Sequence, residues 1–513
     1  MVPWGMFVRR NKNRSGSVSI QIVSKRSGRY RVIKTVGSSN KAEEIEQLWH
    51  QALHEIKLLQ GQIGLFVSEQ DAAVSAFLSS LSNTQVSVAG PELVLGVIFD
   101  KIGFSQVLQE EMFRHLVISR LVYPGSKLKM IDYLQRYQGV NLSVDSVYRF
   151  LDRLNEQYKE AVERKAFEHT KKVLGGHVGV VFYDMTTLYF EASDEDDLRK
   201  TGFSKDGRAQ NPQILLGLLV GQSGYPIGYA IFEGNTFEGH TLITVLEGFQ
   251  KRFDLGKPTV VADAGLLSKE NIASLVAGGY DYILGARLKN ESQAMRQQIT
   301  ALSLDDGQHQ ELKQTDERRL IVSYSSARAR KDKHNRERGL RSLEAKVKSG
   351  KLTKGHINNR GYNKYLRIEG EVNIQIDYEK YESDNQWDGL KGYLTNSKLP
   401  APTILVHYQN LWQIEKAFRI SKTDLQIRPI YHRLRRRIEA HICVCFTAYT
   451  IYKELERLMQ AAGAPFSVLR AIDLTLTMYQ LTVQLPESRK TTKVLLKLTE
   501  EQQWLMDFIQ KSV

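Results

Sequence analysis

Three acidic residues sit where a carboxylate needs a reason: Asp184 inside the apolar run VGVVFYDMTTLYF, Asp263 ending TVVAD, and Glu415 within YQNLWQIEKAFRISK. A charge beside apolar strand residues must be satisfied by a partner, a turn or an ion. For Asp263 a turn would suffice, since ADAG is turn chemistry. For Asp184 a turn is the weaker explanation, because the β-run continues through it. Drawn together, three such carboxylates suit a hard divalent cation and metal-dependent phosphoryl transfer. Two Mg²⁺ ions, about 4 Å apart, could then activate a water or a 3′-hydroxyl and stabilise the leaving oxygen.

Around Glu415 the spacing is helical. At about 100° per residue, Tyr408, Leu411, Glu415, Arg419 and Lys422 fall within about 40° of one line. Ile414 and Phe418 lie on one shoulder and Trp412 on the other. A solvated charge ladder would give the same spacing. Burial of Trp412, Ile414 and Phe418 would instead turn the stripe toward protein. Glu415 would then complete a metal site, while Lys422, Arg419 and the Tyr408 hydroxyl grip a neighbouring phosphate.

The elements that must position these residues come in a telling order. From 178 to 290 there are three β-runs (VGVVFYDMTTLYF, QILLGLLVG, YPIGYAIFEG), a helix (HTLITVLEGFQKRF), a strand (TVVAD), a helix (KENIASLVAG) and a strand (YDYILGAR). That succession is the order of an α/β, ribonuclease-H-like core. It places Asp184 on the first strand, Asp263 after the fourth and the last carboxylate on the next core helix, expected near 402–422. Between them a polar block, 291–395, reads as an inserted β-rich domain. Residues 328–360 of it carry twelve Lys or Arg against three acids, either a phosphate-facing surface or a solvated helical face.

Other boundaries follow from the same reading. Residues 1–65 form a β-hairpin plus helix with Arg- and Lys-rich turns, which suits a DNA-reading β-ribbon or an ordinary hairpin with solvated turns. Residues 66–175 are helical and could hold a helix-turn-helix with SVDSVYRFLDRL as its second helix, or form a packing domain. The core spans 176–290 and returns over 396–445, and a helical tail occupies 446–513.

Composition narrows the partners. The 513 residues carry a net charge of +14 and 42% hydrophobic residues, so a globular protein of several domains with an anionic partner is expected, nucleic acid above all. No apolar run is long enough to cross a membrane, and the N-terminus lacks the h-region of a signal peptide. The two cysteines, Cys443 and Cys445, read as packing residues of a cytoplasmic, nucleoid-associated protein. A metalloprotein built on His177, His240, His407, His432 or His441 is disfavoured, because no pair shows ligand spacing.

The stretch Tyr408-x2-Leu411-x3-Glu415-x6-Lys422 carries a resemblance to a known family. With GFSKDGRAQNPQILLGLLV, FEGNTFEGHT and QWDGLKGYLTN, it makes the chain similar to bacterial DDE transposases of the insertion-sequence-four superfamily, insertion sequence 1634-like branch. Leu411 departs from the pattern, which has arginine there; Arg419 is the candidate replacement. The resemblance implies a triad of Asp184, Asp263 and Glu415 binding Mg²⁺ or Mn²⁺. It further implies a dimer that binds terminal inverted repeats of double-stranded DNA, cuts them, and joins the 3′-hydroxyls to target DNA. By the same resemblance, Lys205 and Arg208 of the SKDGR turn contact DNA. Trp387 would stack near a flipped base unless it is core, and Arg428 and His432 of RPIYH would track the backbone. A nuclease without strand transfer, or a non-catalytic DNA-binding derivative, are the alternatives.

Overall fold

The computed structural model describes residues 5–512 except 27, 60–68, 205–206, 238, 240, 267, 316, 351, 353, 359–360, 370–372 and 486–487. The chain divides into two compact units, 1–85 and 86–513. In the first, strands β1 (Met6–Lys12), β2 (Val18–Arg26) and β3 (Arg29–Ser39) form an antiparallel sheet in sequence order. Alternation along β1 and β2 turns Met6, Val8, Ile20 and Ile22 to one face. There helix α1 (Ala42–Leu59) covers them with Ala52 and Ile56. Helix α2 (Glu69–Ser80) follows.

The second unit begins with strand β4 (Val86–Val88) and six helices: α3 (Val97–Ile102), α4 (Phe104–Val107), α5 (Glu111–Val122), α6 (Lys127–Tyr133), α7 (Val144–Arg153) and α8 (Lys159–Val173). The expected second helix of a helix-turn-helix is α7, capped by Ser143. It buries Val147, Phe150 and Leu151.

An eight-stranded mixed sheet follows. Its first five strands are β5 (Val180–Tyr189), β6 (Gln213–Val220), β7 (Pro226–Glu233), β8 (Thr259–Ala262) and β9 (Tyr282–Ala286), separated after β7 by α9 (Leu242–Phe253) and after β8 by α10 (Lys269–Ala277). Strands β5, β6 and β7 form an antiparallel meander, β8 runs parallel to β5, and β9 parallel to β8. All seven elements fall where the apolar runs place them.

The polar block 291–395 supplies α11 (Gln293–Thr300), β10 (His309–Lys313), β11 (Arg319–Tyr324), α12 (Ser326–Lys348), β12 (Leu366–Glu369), β13 (Asn373–Ile376), α13 (Tyr378–Ser383) and β14 (Leu390–Thr395). Strands β10, β11 and β14 do not make a separate sheet. They extend the main one, giving the order β10-β11-β14-β9-β8-β5-β6-β7. The remainder, α12 with β12, β13 and α13, has a small core of its own around Leu343, Tyr365 and Tyr381, while α11 and β11 share another around Ile299, Leu320 and Val322.

Beyond the sheet come α14 (Ala401–Gln409), α15 (Trp412–Arg419), α16 (Arg435–Ala461), α17 (Val468–Thr475), β15 (Tyr479–Gln484), β16 (Thr491–Leu495) and α18 (Glu500–Ser512). The tail is thus not helical throughout. YQLTVQ and TTKVL alternate as strands and pair as a hairpin, which β4 joins. Helix α16 is buried along most of its length, with Cys443 and Cys445 as packing residues. It lies against α5, α7 and α8. Among the described residues, no helix is long and apolar enough to cross a membrane.

The single helix expected near 402–422 is broken at both ends of its polar stripe. At Asn410–Leu411 the hydrogen bonds tighten to i→i+3: Leu411 N–H to the Tyr408 carbonyl, Gln413 to Asn410, Ile414 to Leu411. A 3₁₀ link turns the chain by more per residue than an α-helix does. Tyr408 therefore enters the interior while Glu415 stays at the surface. From Ile420 to Asp424 the helix widens to a π-turn closed by Leu425 N–H on the Ile420 carbonyl, which displaces Lys422. Trp412, expected buried, is 49% exposed, whereas Ile414 and Phe418 are buried as the spacing predicts.

Candidate active site

The sheet register brings the two aspartates together. Tyr183 pairs with Ala262 across the parallel β5–β8 ladder, so Asp184 and Asp263, each the next residue, leave neighbouring strands at the same level. Side chains alternate between faces of a strand. Asp184 therefore shares a face with Val180 and Phe182, and Asp263 follows Val261, all of them part of one core. Ile414 and Phe418 of α15 pack into that same core, and α15 lies against β5 and β6. Glu415, exposed in the first turn of α15, thereby stands over the sheet face that carries both aspartates. A carboxylate in the first turn also suits the positive end of the helix dipole.

The local fits explain why the chain stops where it does. Asp184 is half-buried and its Oδ1 accepts the Met185 N–H at 2.7 Å. Asp263 is exposed; its Oδ1 accepts the Ala264 N–H at 2.7 Å and the Tyr408 hydroxyl at 3.3 Å. Asp263 thus serves its turn and still presents oxygen to the site. Burial, and then the Asp263 charge beside it, raises the pKa of Tyr408, so the phenol keeps its proton and remains a donor. Gly285 on β9 makes room for it: a Cβ there would lie 2.4 Å from the Tyr408 hydroxyl and 3.1 Å from the Ala264 nitrogen.

A cation absent from the sequence-derived set stands among these acids. Lys391 of β14 holds its Nζ 4.5 Å from the Tyr408 ring centre, and Tyr393, edge-on to Tyr408 at 4.9 Å, packs beside it. Burial lowers the Lys391 pKa and Arg328 adds to the effect, while Asp263 and Glu415 oppose it. Both acids and a second cation, Arg328 at the start of α12, therefore act on one ammonium. The available signal was a lysine at the same alternate position of β14 as the buried Tyr393. GLKGYLT hides it, because flanking glycines blur the strand pattern.

The remaining predicted residues sort by place. Arg208 and Arg428 both reach the ring of Tyr189 at the end of β5, with guanidinium carbons 4.4 Å and 5.6 Å from its centre; Arg208 also pairs with Glu191 at 3.3 Å. Arg419 is exposed at the end of α15, and Lys422 is half-buried in the π-turn. His432 is buried, edge-on to Tyr148 at 5.8 Å, and burial lowers its pKa to about 3. Trp387 is half-buried against Leu288, Ile299 and Leu320, yet it also lines an open cleft of about 570 Å³ that includes Lys391 and Arg328. Lys205 lies outside the described residues, as does His240.

The donor set is chemically suited to Mg²⁺ or Mn²⁺: three hard carboxylates on one face, two of them exposed. Among the described residues, no three His, Cys, Asp or Glu side chains stand close enough to hold a metal ion as they are placed. The three carboxylates expected to meet at one point share a sheet face but do not form such a group as placed.

The transposase DDE domain family model matches residues 179–451, more than half of the chain. The chain belongs to the transposase DDE-domain family. The matched segment starts one residue before β5, ends inside α16, and contains Asp184, Asp263 and Glu415. Members of this DDE family generally use divalent metal ions, and membership supports transposase function. No curated protein matches the chain. Among solved structures, the cryo-EM structure of a piggyBac transposase synaptic complex with hairpin DNA is similar at 9% identity and a TM-score of 0.38, covering 82% of each chain. That likeness is too loose to carry an inference.

Proposed function

We propose that the protein is a DNA transposase of the insertion-sequence-four superfamily, insertion sequence 1634-like branch, that moves an insertion sequence by cutting and pasting. The observation that carries this reading is the shared sheet face: Asp184 and Asp263 level on parallel strands, with Glu415 on the helix packed across them. The strand order β7-β6-β5-β8-β9 with this directionality supports a ribonuclease-H-like core.

In this reading Asp184, Asp263 and Glu415 would hold the divalent ions, which when bound would supply activation of the attacking hydroxyl and stabilisation of the leaving oxygen. Tyr408 orients the Asp263 carboxylate through its hydroxyl. Lys391 and Arg328 offset the charge that builds on the phosphate at attack. Arg419 and Lys422 hold the neighbouring phosphate, and Arg208, Arg428, His432, Lys205 and Trp387 guide the strand. Every step exchanges one P–O bond for another. Water attack frees a 3′-hydroxyl, and that hydroxyl attacks the opposite strand to leave a hairpin. Water reopens the hairpin, and the 3′-hydroxyl then attacks target DNA. Two ends require two sites, hence a dimer acting on the nucleoid, with the basic first unit engaging the inverted repeats.

Asp184→Ala is expected to abolish Mg²⁺-dependent cleavage of end DNA in a gel assay while leaving DNA binding nearly intact. Full cleavage by that variant would sink the triad. Wild-type cleavage with no joined product would instead identify a nuclease without strand transfer.

A further inference from the structure

A second cationic site lies away from the carboxylate face. Arg120 on α5, Lys127 and Lys129 at the start of α6, Arg428 and His432 on the segment after α15, and His441 on α16 line one pocket of about 390 Å³. Arg120, Lys127 and His441 are each only 5% exposed. Among the described residues no carboxylate lines the pocket.

Burial without compensation is the feature to explain. Arg120 is weakly satisfied by the carbonyls of Leu425 and Gln426, at 3.4 and 3.3 Å. The Lys127 ammonium has no hydrogen bond or ion pair among the described residues, although it faces the pocket. Burial and then the Arg120 charge bring its pKa down to about 7, opposed by Cys445. Burial and the same cations keep His432 and His441 neutral. His441 donates its Nε2–H to the Ile427 carbonyl, 2.9 Å away, and its buried Nδ1 has no partner. The acid that acts on His432, Asp152, is itself held by Arg436 and Arg437. A buried lysine with no counter-ion, beside a buried arginine that meets only carbonyls, is unfavourable unless an anion completes the site.

We propose that this pocket is a phosphate-binding site whose anchoring residue is Lys127. The phosphate is either a backbone phosphodiester of bound DNA or a free phosphate, which share tetrahedral oxyanion chemistry. Position favours the backbone source. Arg428 at the pocket mouth reaches over Tyr189, five residues along β5 from Asp184. At strand rise that is about 16 Å, roughly five base steps of DNA. The identity of the DNA source rests on the transposase reading; the site itself does not.

The test is titration of the full chain, without metal, by inorganic phosphate in a calorimeter and by a double-stranded end oligonucleotide at several salt concentrations. Wild type is expected to bind phosphate with proton uptake near pH 7.5, as Lys127 regains its charge. Lys127→Met should abolish that binding, Lys127→Arg should keep it, and Lys129→Gln, at the exposed mouth, should weaken it several-fold if the Met variant does not fold. If Lys127→Met also reduces the salt slope of DNA binding by about one, the backbone is the source. Loss of phosphate binding with unchanged DNA binding assigns the site to free phosphate. Equal phosphate binding by wild type, Lys127→Met and Lys129→Gln, or none by wild type, overturns the proposal. Asp184→Ala must bind phosphate as wild type does, so loss of cleavage and loss of this site are separate results.

Discussion

Lys391 shows what one side chain contributes beyond the three acids. Its ammonium lies over the Tyr408 ring, and Asp263 and Glu415 both favour its charged form. In a partly desolvated site a fixed cation stabilises developing negative charge far more than it would in water. Lys391→Met keeps the length and apolar stem and removes the charge. Single-turnover cleavage of end DNA is expected to fall roughly 100-fold, the scale of losing one preorganised transition-state partner, with melting temperature near wild type. Wild-type cleavage would leave Lys391 a packing residue. Asp184 was legible because an acid interrupts an apolar strand, and Glu415 because its neighbours repeat at helical spacing. Lys391 and Lys127 were not, since the importance of the first comes from groups that the fold brings in from separate elements and that of the second from having no partner.

At the scale of elements, the core strands and helices were readable because each is an apolar run bounded by Gly, Pro or charge. The break between α14 and α15 was not. No Gly or Pro marks Asn410–Leu411, and local propensity favours one helix; packing of Tyr408 under Gly285 decides otherwise. The tail hairpin was missed because its strands are short and half-polar. Helix α16 carries buried charge that the sequence pattern also hides. Glu454 is fully buried, accepting from Arg457 at 2.6 Å, from the Tyr225 hydroxyl at 2.8 Å, and facing His169 at 3.2 Å. Desolvation disfavours its charge, yet these partners prevail and hold its pKa near 2, below the ordinary 4.5. A depressed folded-state pKa gives stability that is present above about pH 4.5 and lost as pH falls toward 2. Glu454→Gln should therefore be less stable than wild type in urea at pH 7, with the gap narrowing below pH 4.5. A constant gap from pH 7 to pH 3 would contradict the assignment.

For the molecule as a whole, charge is unevenly spent. Residues 6–40, which hold the three strands of the first unit, contain nine Lys or Arg and no Asp or Glu. Pairs from Arg10 to Glu46 and from Lys34 to Glu55 tie two of these cations to α1. Sequence-independent DNA affinity grows with each phosphate neutralised. A fragment comprising 86–513 is expected to keep a cooperative unfolding transition but to bind end DNA more weakly, with a salt slope shallower by several units. An unchanged slope would mean that the first unit does not touch DNA.

The place of β14 in the sheet has a consequence for synthesis. Strand β9 is complete at Ala286, but its second neighbour pairs through Gly392, more than a hundred residues later. Until then a growing chain presents β9 as an open edge, the kind that invites wrong partners and slows folding. Asp184 and Asp263 emerge early, whereas β14 with Lys391 and the helix with Glu415 emerge last. On the proposed reading, a ribosome must finish four-fifths of the polypeptide before any phosphodiester is at risk, so truncated products of a DNA-cutting enzyme are inert by construction.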